Sequence, residues 1–383
     1  MLTILADENI PLVRPLFDRL GNVITMPGRA IQSRHLAAAD VLLVRSVTRV
    51  SRDLLQGSAV QFVGSCTMGK DHLDIDYLEQ SGISWANAPG CNADAVVQYV
   101  FSAMATLQPH WAESVIGIIG CGNIGGRLLH CLRRMGVKCV CYDPLISRDE
   151  PELTTLAEVL SADIISCHTP LTTINPFPTR HLLGARELSQ LRSGALLINT
   201  SRGEVIDGNA LLGLLLQRHK PFKVALDVWE GEPDIDLELL ACVDIGTPHI
   251  AGHSLEGKRQ GSVHVYRALC RYLGVRHAAN RGIAMLMNSP KTVLQPDKKD
   301  DTQAQRNALL LAAYSIDNDD RQLRHRCKQQ QPIADGFDQL RKNYPVRHDY
   351  CHCVPPQWLA KKTHRRFLEA LGFADSSTNG LST

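Results

Sequence analysis

At 383 residues the chain is too long for one ordinary core, so two or three domains are expected. Hydrophobic residues make up 44% and charged residues 21%, with a formal net charge of +2; that near-neutral balance argues against a nucleic-acid-binding face, which needs clustered excess charge. No apolar run approaches the roughly 20 residues of a membrane span, and MLTILADENIP has an acidic pair where a secretory signal has a basic region.

The 12 cysteines sit mostly inside apolar runs such as VKCVCYD and IISCHTP, where they read as small buried hydrophobes. With thiols of this kind and no visible secretory signal, a reducing cytoplasm is the expected setting.

Along the chain, LTILAD, VLLVRS and VQFVGS read as buried strands ending in polar residues. Helical patterns such as PLVRPLFDRLG separate them and close on Gly. This alternation predicts a parallel sheet with helices on both faces. NADAVVQYVFSAMATLQPH then reads as one long helix with Asn92 as its N-cap. It leads into SVIGIIGCGNIGGRLLHCLRRMG, a strand, a Gly-rich turn and a helix. CVCYDP, DIISCHTP, ALLINTS, KVALDVW and DIGTPH come next as further strands.

The expected fold class is therefore α/β, with two doubly wound parallel-sheet domains of Rossmann-like or flavodoxin-like type. The first boundary falls near residue 93, and the chain crosses back after His249. Near residue 285 the composition changes: NSPKTVLQPDKKDD reads as a linker or surface loop. The remaining tail is helical, then irregular and basic, and predicts a small C-terminal α+β domain over 285–383.

Gly120, Gly122 and Gly125 form G-x-G-x-x-G between a strand and a helix. In such a turn the first Gly permits the tight bend, the second lets the backbone approach a pyrophosphate, and the third lets helix and strand pack closely. The helix start, at Asn123 and Ile124, offers free N–H groups to phosphate. The next strand ends in Asp143, where a carboxylate accepts hydrogen bonds from ribose hydroxyls and repels a 2′-phosphate, favouring NAD over NADP. Arg148 is the one nearby cation that would suit a 2′-phosphate. The alternative reading is a tight βα turn without a ligand.

Arg202 follows the strand ALLINTS, at the sheet edge that faces the ligand crevice in open α/β folds. Its guanidinium can hold a carboxylate through two parallel hydrogen bonds, or cap the sheet as a surface Arg. His249 ends DIGTPH. Imidazole titrates near pH 6.5, at about the right point to take or return an alcohol proton. With 15 His in the chain, a structural or exposed histidine is the competing reading. Glu232, in ALDVWEGEP, is the carboxylate that would orient and charge it.

GCGNIGG, Asp143, NTSRGEVID, ALDVWEGEP and TPHIAGHS together resemble the D-isomer-specific 2-hydroxyacid dehydrogenase family over about residues 1–280. The resemblance implies that Arg202, Glu232 and His249 are the catalytic residues. It also implies a substrate domain made of 1–92 and 252–284, an inserted NAD-binding domain over 93–251, and a cleft between them. VRSVTRV, FVGSCTMGKDHLD, HIAGHSLEGKRQG and RKNYPVR resemble members with an extra C-terminal dimerisation domain that act on a four-carbon phosphorylated acid. That likeness implies a homodimer, substrate contacts at Ser46 and Thr67, and NAD contacts at Asp143, Thr169, Asp227 and Gly252. There are two departures: His253 stands where Tyr is usual beside the substrate, and Gln98 replaces a Glu of the long helix.

The implied reaction is NAD-dependent oxidation of a small phosphorylated 2-hydroxy acid. A phosphoglycerate or hydroxypyruvate enzyme, and an NAD-sensing binding protein on the same fold, are the alternatives. Arg45 and Lys70, after strand ends, are candidates for the substrate phosphate. Arg347, in the basic tail, is a candidate to reach a partner's active site. Cys351, His352 and Cys353, with His348 and His364, match no common zinc spacing, so no metal is expected.

Overall fold

The computed structural model describes residues 1–146, 152–174, 176–217, 222–276, 280–329 and 332–374. They form two compact units: Met1–Asn92 with Ser254–Pro290, and Ala93–His253 with Lys291–Thr383. Among the described residues no helix is long and apolar enough to cross a membrane.

The first unit is built on β1 (Leu2–Asp7), β2 (Gly21–Met26), β3 (Val41–Val44), β4 (Phe62–Ser65) and β5 (Ser84–Ala86). All pair in parallel, in the order β2-β1-β3-β4-β5. Successive side chains serve opposite faces. Ile4, Val41, Leu43 and Phe62 pack with Phe17, Val265 and Leu269, whereas Leu5, Leu42, Val44 and Val63 pack with Leu36, Leu55 and Leu78. Both faces being covered explains why these strands read as unbroken apolar runs. The helix Leu255–Tyr272 lies on one face, so close that a Cβ on Gly261 would strike the Cys66 carbonyl.

The second unit carries β6 (Ile116–Ile119), β7 (Cys139–Tyr142), β8 (Ile164–Cys167), β9 (Leu196–Asn199), β10 (Lys223–Leu226) and β11 (Ile245–Gly246). The order is β11-β10-β9-β8-β6-β7, again all parallel. The strand order reverses at β6, so the carboxyl ends of β6 and β8 flank the switch-point crevice where such sheets bind ligands.

The helix Ala93–Leu107 is buried along nearly its whole length. Asn92 does not cap it as expected, because its buried Oδ1 accepts no hydrogen bond.

The tail does not stand apart from the second unit. Leu323, Cys327 and Phe337, on the helices Ile316–Gln329 and Ile333–Lys342, share one hydrophobic cluster with Ile165, Leu197 and Val224 of the sheet. The tail strands β12 (Thr292–Val293) and β13 (Cys353–Val354) are only two residues each. Such short elements cannot enclose a core of their own, so the tail buries its apolar residues on the body. Polar ties match: Ser102 Oγ donates to the Tyr314 carbonyl at 2.8 Å, and Trp111 Nε1 to Asn307 Oδ1 at 2.9 Å. Gln98, fully buried, donates through Nε2 to the His348 carbonyl at 3.0 Å. A carboxylate at 98 would have no N–H to give it.

Candidate active site

Gly120 follows β6 with φ +87°, and a Cβ there would approach the His168 and Thr169 backbone at 2.9 Å. A Cβ on Gly125 would run into the Gly120 carbonyl, whereas Gly122 faces open space. Asn123 and Ile124 begin the helix Asn123–Met135, and their N–H groups have no intrahelical acceptors. Asp143 is half-buried just beyond β7; its Oδ2 accepts from Cys121 N at 2.8 Å and Oδ1 from Leu145 N at 3.0 Å. Thr169, after β8, carries a buried hydroxyl with no hydrogen-bond partner. The cleared approach at Gly122, the strand-end carboxylate and the unpartnered Thr169 hydroxyl fit a dinucleotide that brings donors and acceptors of its own. Arg148 lies outside the described residues.

Asp227, expected to touch NAD, is turned into the protein at 1% exposure. Its Oδ1 accepts from Thr247 Oγ1 at 2.7 Å and Ile250 N at 2.8 Å, and its Oδ2 from Ala251 N at 2.8 Å. Its carbonyl accepts from His249 N at 2.7 Å. Asp227 therefore grips the loop that carries His249. Gly252, half-buried, lies in the same loop.

His249 has φ +55°, a left-handed conformation uncommon for a non-glycine residue and one that needs surrounding structure to hold it. Its Nδ1 lies 2.7 Å from Glu232 Oε2, while Glu232 Oε1 accepts from Trp229 N at 2.8 Å. Trp229 Nε1 donates to the Thr247 carbonyl at 2.9 Å, so the two loops are cross-tied. Burial pushes the Glu232 carboxyl up, but His249 beside it, together with Arg341 and the Trp229 N–H, brings it below its ordinary value. Arg202 donates through Nη1 to the Ser201 carbonyl at 2.7 Å, and its own carbonyl accepts from Asn199 Nδ2 at 2.9 Å.

Arg202, Glu232 and His249 line one cavity of about 190 Å³, with Glu204, Val228 and Trp229. Gly203 makes this possible: a Cβ there would collide with the Trp229–Glu230 backbone, holding the Arg202 and Glu232 loops apart. Only its position after Arg202 in NTSRGEVID hinted at this.

His168 also went unnoticed in the sequence. It is buried after β8, between Ser166 Oγ (2.9 Å from Nε2) and Thr200 Oγ1 (3.0 Å from Nδ1). Burial pushes its pKa down to about 3, from 6.5. The unfolded chain therefore takes up this proton first. The resulting stability is intact above pH 6.5 and is lost as pH falls toward 3. The expected slope from this group is about 1.4 kcal/mol per pH unit. In urea titrations between pH 6.5 and 4, H168Q should flatten the acid limb by about that slope. An unchanged limb would mean His168 is not the group responsible.

In the first unit Ser46 is exposed after β3. Arg45 beside it is held by the buried Asp7, Nε to Oδ2 at 2.9 Å and Nη2 to Oδ1 at 3.4 Å. The pair engages Nε and Nη2 and leaves the side chain partly exposed. Thr67 is half-buried after β4, its Oγ1 2.9 Å from Ser65 Oγ. Lys70 is exposed, with Nζ 5.7 Å from the Trp85 ring centroid.

His253, in the second unit, meets the Tyr344 ring edge to face at 5.6 Å. Arg347 does not project from the surface toward a partner: it is 6% exposed, and its Nη2 donates to the Ala251 carbonyl of its own chain. Cys351 Sγ lies 3.2 Å from His352 Nδ1, and His364 Nε2 lies 3.0 Å from Gln305 Oε1.

Residues 93–251 match the family model of the D-isomer specific 2-hydroxyacid dehydrogenase NAD binding domain, and 286–372 match a domain of unknown function, DUF3410. Erythronate-4-phosphate dehydrogenase of Cellvibrio japonicus is 46% identical over 97% of this chain and 99% of its own. That of Teredinibacter turnerae is 48% identical over 92% and 94%. Among solved structures, D-lactate dehydrogenase of Aquifex aeolicus, complexed with NAD and lactic acid, superposes with TM-score 0.61 at 25% identity, covering 71% of this chain and 95% of that one. Near end-to-end identity of this degree, on a fold that carries the paired histidine and glutamate beside an arginine, places the chain in the erythronate-4-phosphate dehydrogenase family, within the NAD-dependent D-isomer-specific 2-hydroxyacid dehydrogenases.

Proposed function

We propose that the protein oxidises 4-phospho-D-erythronate at C2, giving 3-hydroxy-2-oxo-4-phosphooxybutanoate, as a cytoplasmic homodimer in pyridoxal 5′-phosphate biosynthesis. The observation that carries this reading is the 2.7 Å pair between His249 Nδ1 and Glu232 Oε2 on the cavity that Arg202 also lines. With Nδ1 engaged, Nε2 is the atom that takes the C2 hydroxyl proton. Glu232 fixes the ring orientation and stabilises the imidazolium that results. Arg202 binds the substrate carboxylate and draws electron density from the forming carbonyl. NAD, when bound, supplies the acceptor for the C2 hydrogen as hydride.

In the second unit Gly120, Gly122, Asn123, Ile124 and Gly125 hold the pyrophosphate. Asp143 takes the ribose hydroxyls, and Thr169 and Gly252 supply further contacts. Asp227 serves this site through the His249 loop. In the first unit Ser46 and Thr67 bind substrate; His253 replaces the usual tyrosine. Residues 1–92 and 252–284 form the substrate domain, and 285–383 carry the dimer contact.

A substrate panel tests the reading: 4-phosphoerythronate, 3-phosphoglycerate, glycerate and lactate with NAD, followed by NADH absorbance. The phosphorylated four-carbon acid should lead in kcat/KM by at least about tenfold, the size of one charge-assisted phosphate contact. Equal or greater turnover of an unphosphorylated acid overturns the substrate assignment. Tight NAD binding without any turnover would point to a sensor instead.

A further inference from the structure

Tail residues between 316 and 349 hold the strand and loop around His249 on both sides. Before the loop, Gly246 N donates to Asp320 Oδ1 at 2.7 Å. Arg324 Nε bonds both oxygens of Asp320, at 2.8 and 2.9 Å, and its Nη1 and Nη2 donate to the carbonyls of Leu240 and Val243. After His249, Arg347 Nη2 donates to the Ala251 carbonyl, and the Tyr344 ring abuts His253.

Arg347 is the unusual member. It is a buried cation with no carboxylate in direct contact among the described residues, although the charges of Asp319 and Asp349 act on it. Its guanidinium carbon lies 4.3 Å from the Tyr314 ring centroid and 5.8 Å from that of Tyr344. Both tyrosine hydroxyls donate to Asp319 Oδ2, at 2.8 and 2.7 Å, which fixes the two rings around it. Its Nε finds no acceptor. A buried cation without a carboxylate in contact is costly, and an apolar side chain of the same length would fill the space between the rings. What arginine adds is a planar, rigid set of donors: Nη2 donates to the Ala251 carbonyl and, at 3.5 Å, to the Ala95 carbonyl of the long helix, and Nη1 lies 3.5 Å from the Tyr344 hydroxyl.

Of these acceptors Ala251 lies in the His249 loop, and its own N–H is held by Asp227 Oδ2 at 2.8 Å. The peptide chain just past His249 is thus gripped from the sheet side and from the tail side. A histidine at φ +55° requires such over-determined surroundings. We infer that Arg347 is a positioning residue that holds Thr247–His253 so that His249 stays on Glu232, and that the tail serves as a clamp on this loop. The inference rests on the proton-acceptor role proposed for His249.

A double-mutant cycle in the full-length enzyme tests it, with Arg347→Met and Arg347→Lys each made alone and in a His249→Asn background. R347M should lower kcat on 4-phosphoerythronate about tenfold, with KM for NAD changed less than about twofold. R347K, which keeps a cation and a donor, should recover part of the loss. In the H249N background R347M should cost less than about twofold, because the group it positions is gone. In enzyme without substrate, amide exchange at residues 249–252 should rise at least about tenfold in R347M, while β6 and β9 stay unchanged. Equal fractional losses in both backgrounds, or wild-type exchange in the loop, overturn the clamp. If R347M does not fold, loop exchange in R347K decides: faster exchange supports the clamp and wild-type exchange overturns it. If H249N alone leaves kcat intact, the proposed proton role fails; if H249N is impaired and the cycle is additive, only the clamp fails.

Discussion

His249→Asn lowers kcat by roughly 10²–10⁴-fold, the range for losing a positioned general acid or base. Asn has about the right shape to keep a hydrogen bond to Glu232 Oε2, where His249 Nδ1 now sits at 2.7 Å. It has no group that accepts a proton near neutral pH, so what is lost is the proton transfer more than the architecture of the loop. NAD affinity, measured by fluorescence titration, should stay within about twofold, because the dinucleotide turn is built on β6 and its following helix. A fall in kcat of only a few-fold would remove His249 from the chemistry and leave Glu232 a structural brace. The contrast with Arg347→Met is informative, since that change leaves the imidazole in place and removes only one of its supports.

Asp227→Ala has the largest expected effect on stability. One carboxylate accepts from Thr247 Oγ1, Ile250 N and Ala251 N, all buried. Alanine leaves the two N–H groups without acceptors, at roughly 1–3 kcal/mol for each unsatisfied donor. A total near 3 kcal/mol or more corresponds to a fall in Tm of about 6–12 °C for a folding unit of this size. Thermal unfolding without cofactor, followed by circular dichroism, reads this directly. Asp227→Asn, which keeps one acceptor oxygen, should fall between wild type and Ala. A shift in D227A below about 2 °C would show that water or a rearranged loop replaces the carboxylate. Activity should fall in parallel, because His249 N is bonded to the carbonyl of the same residue at 2.7 Å.

These two residues show how far the site could be read in advance. The His249 and Glu232 motifs each follow a strand, and strand ends converge at one edge of a parallel sheet, so their meeting followed from chain order and hydrophobic pattern. Asp227 lies in one of those motifs, yet the direction of its carboxylate did not follow. It depends on where the loop after β11 runs, and that loop is held by contacts from several separate segments. The pairing of Arg45 was equally illegible. As a cation after a strand it suited a phosphate; Asp7, 38 residues earlier, lies beside it across β1 and β3 and accepts from its Nε and Nη2.

The amino-acid sequence by itself determined the parallel α/β class, the Gly-rich turn and the three segments that bring Arg202, Glu232 and His249 together. Those features rest on local rules: alternate burial on strands covered on both faces, glycine where a Cβ has no room, and polar residues where strands leave the core. The tertiary structure decided the rest. It turned Asp227 inward, used Gly203 to bring two loops into contact, buried His168 as a neutral base, and laid the tail on the body so that Arg347 meets Ala251 from 96 residues away. Each of these depends on which distant groups share a buried space, where an unpaired polar atom is expensive and the partner that satisfies it is set by packing and not by sequence neighbours.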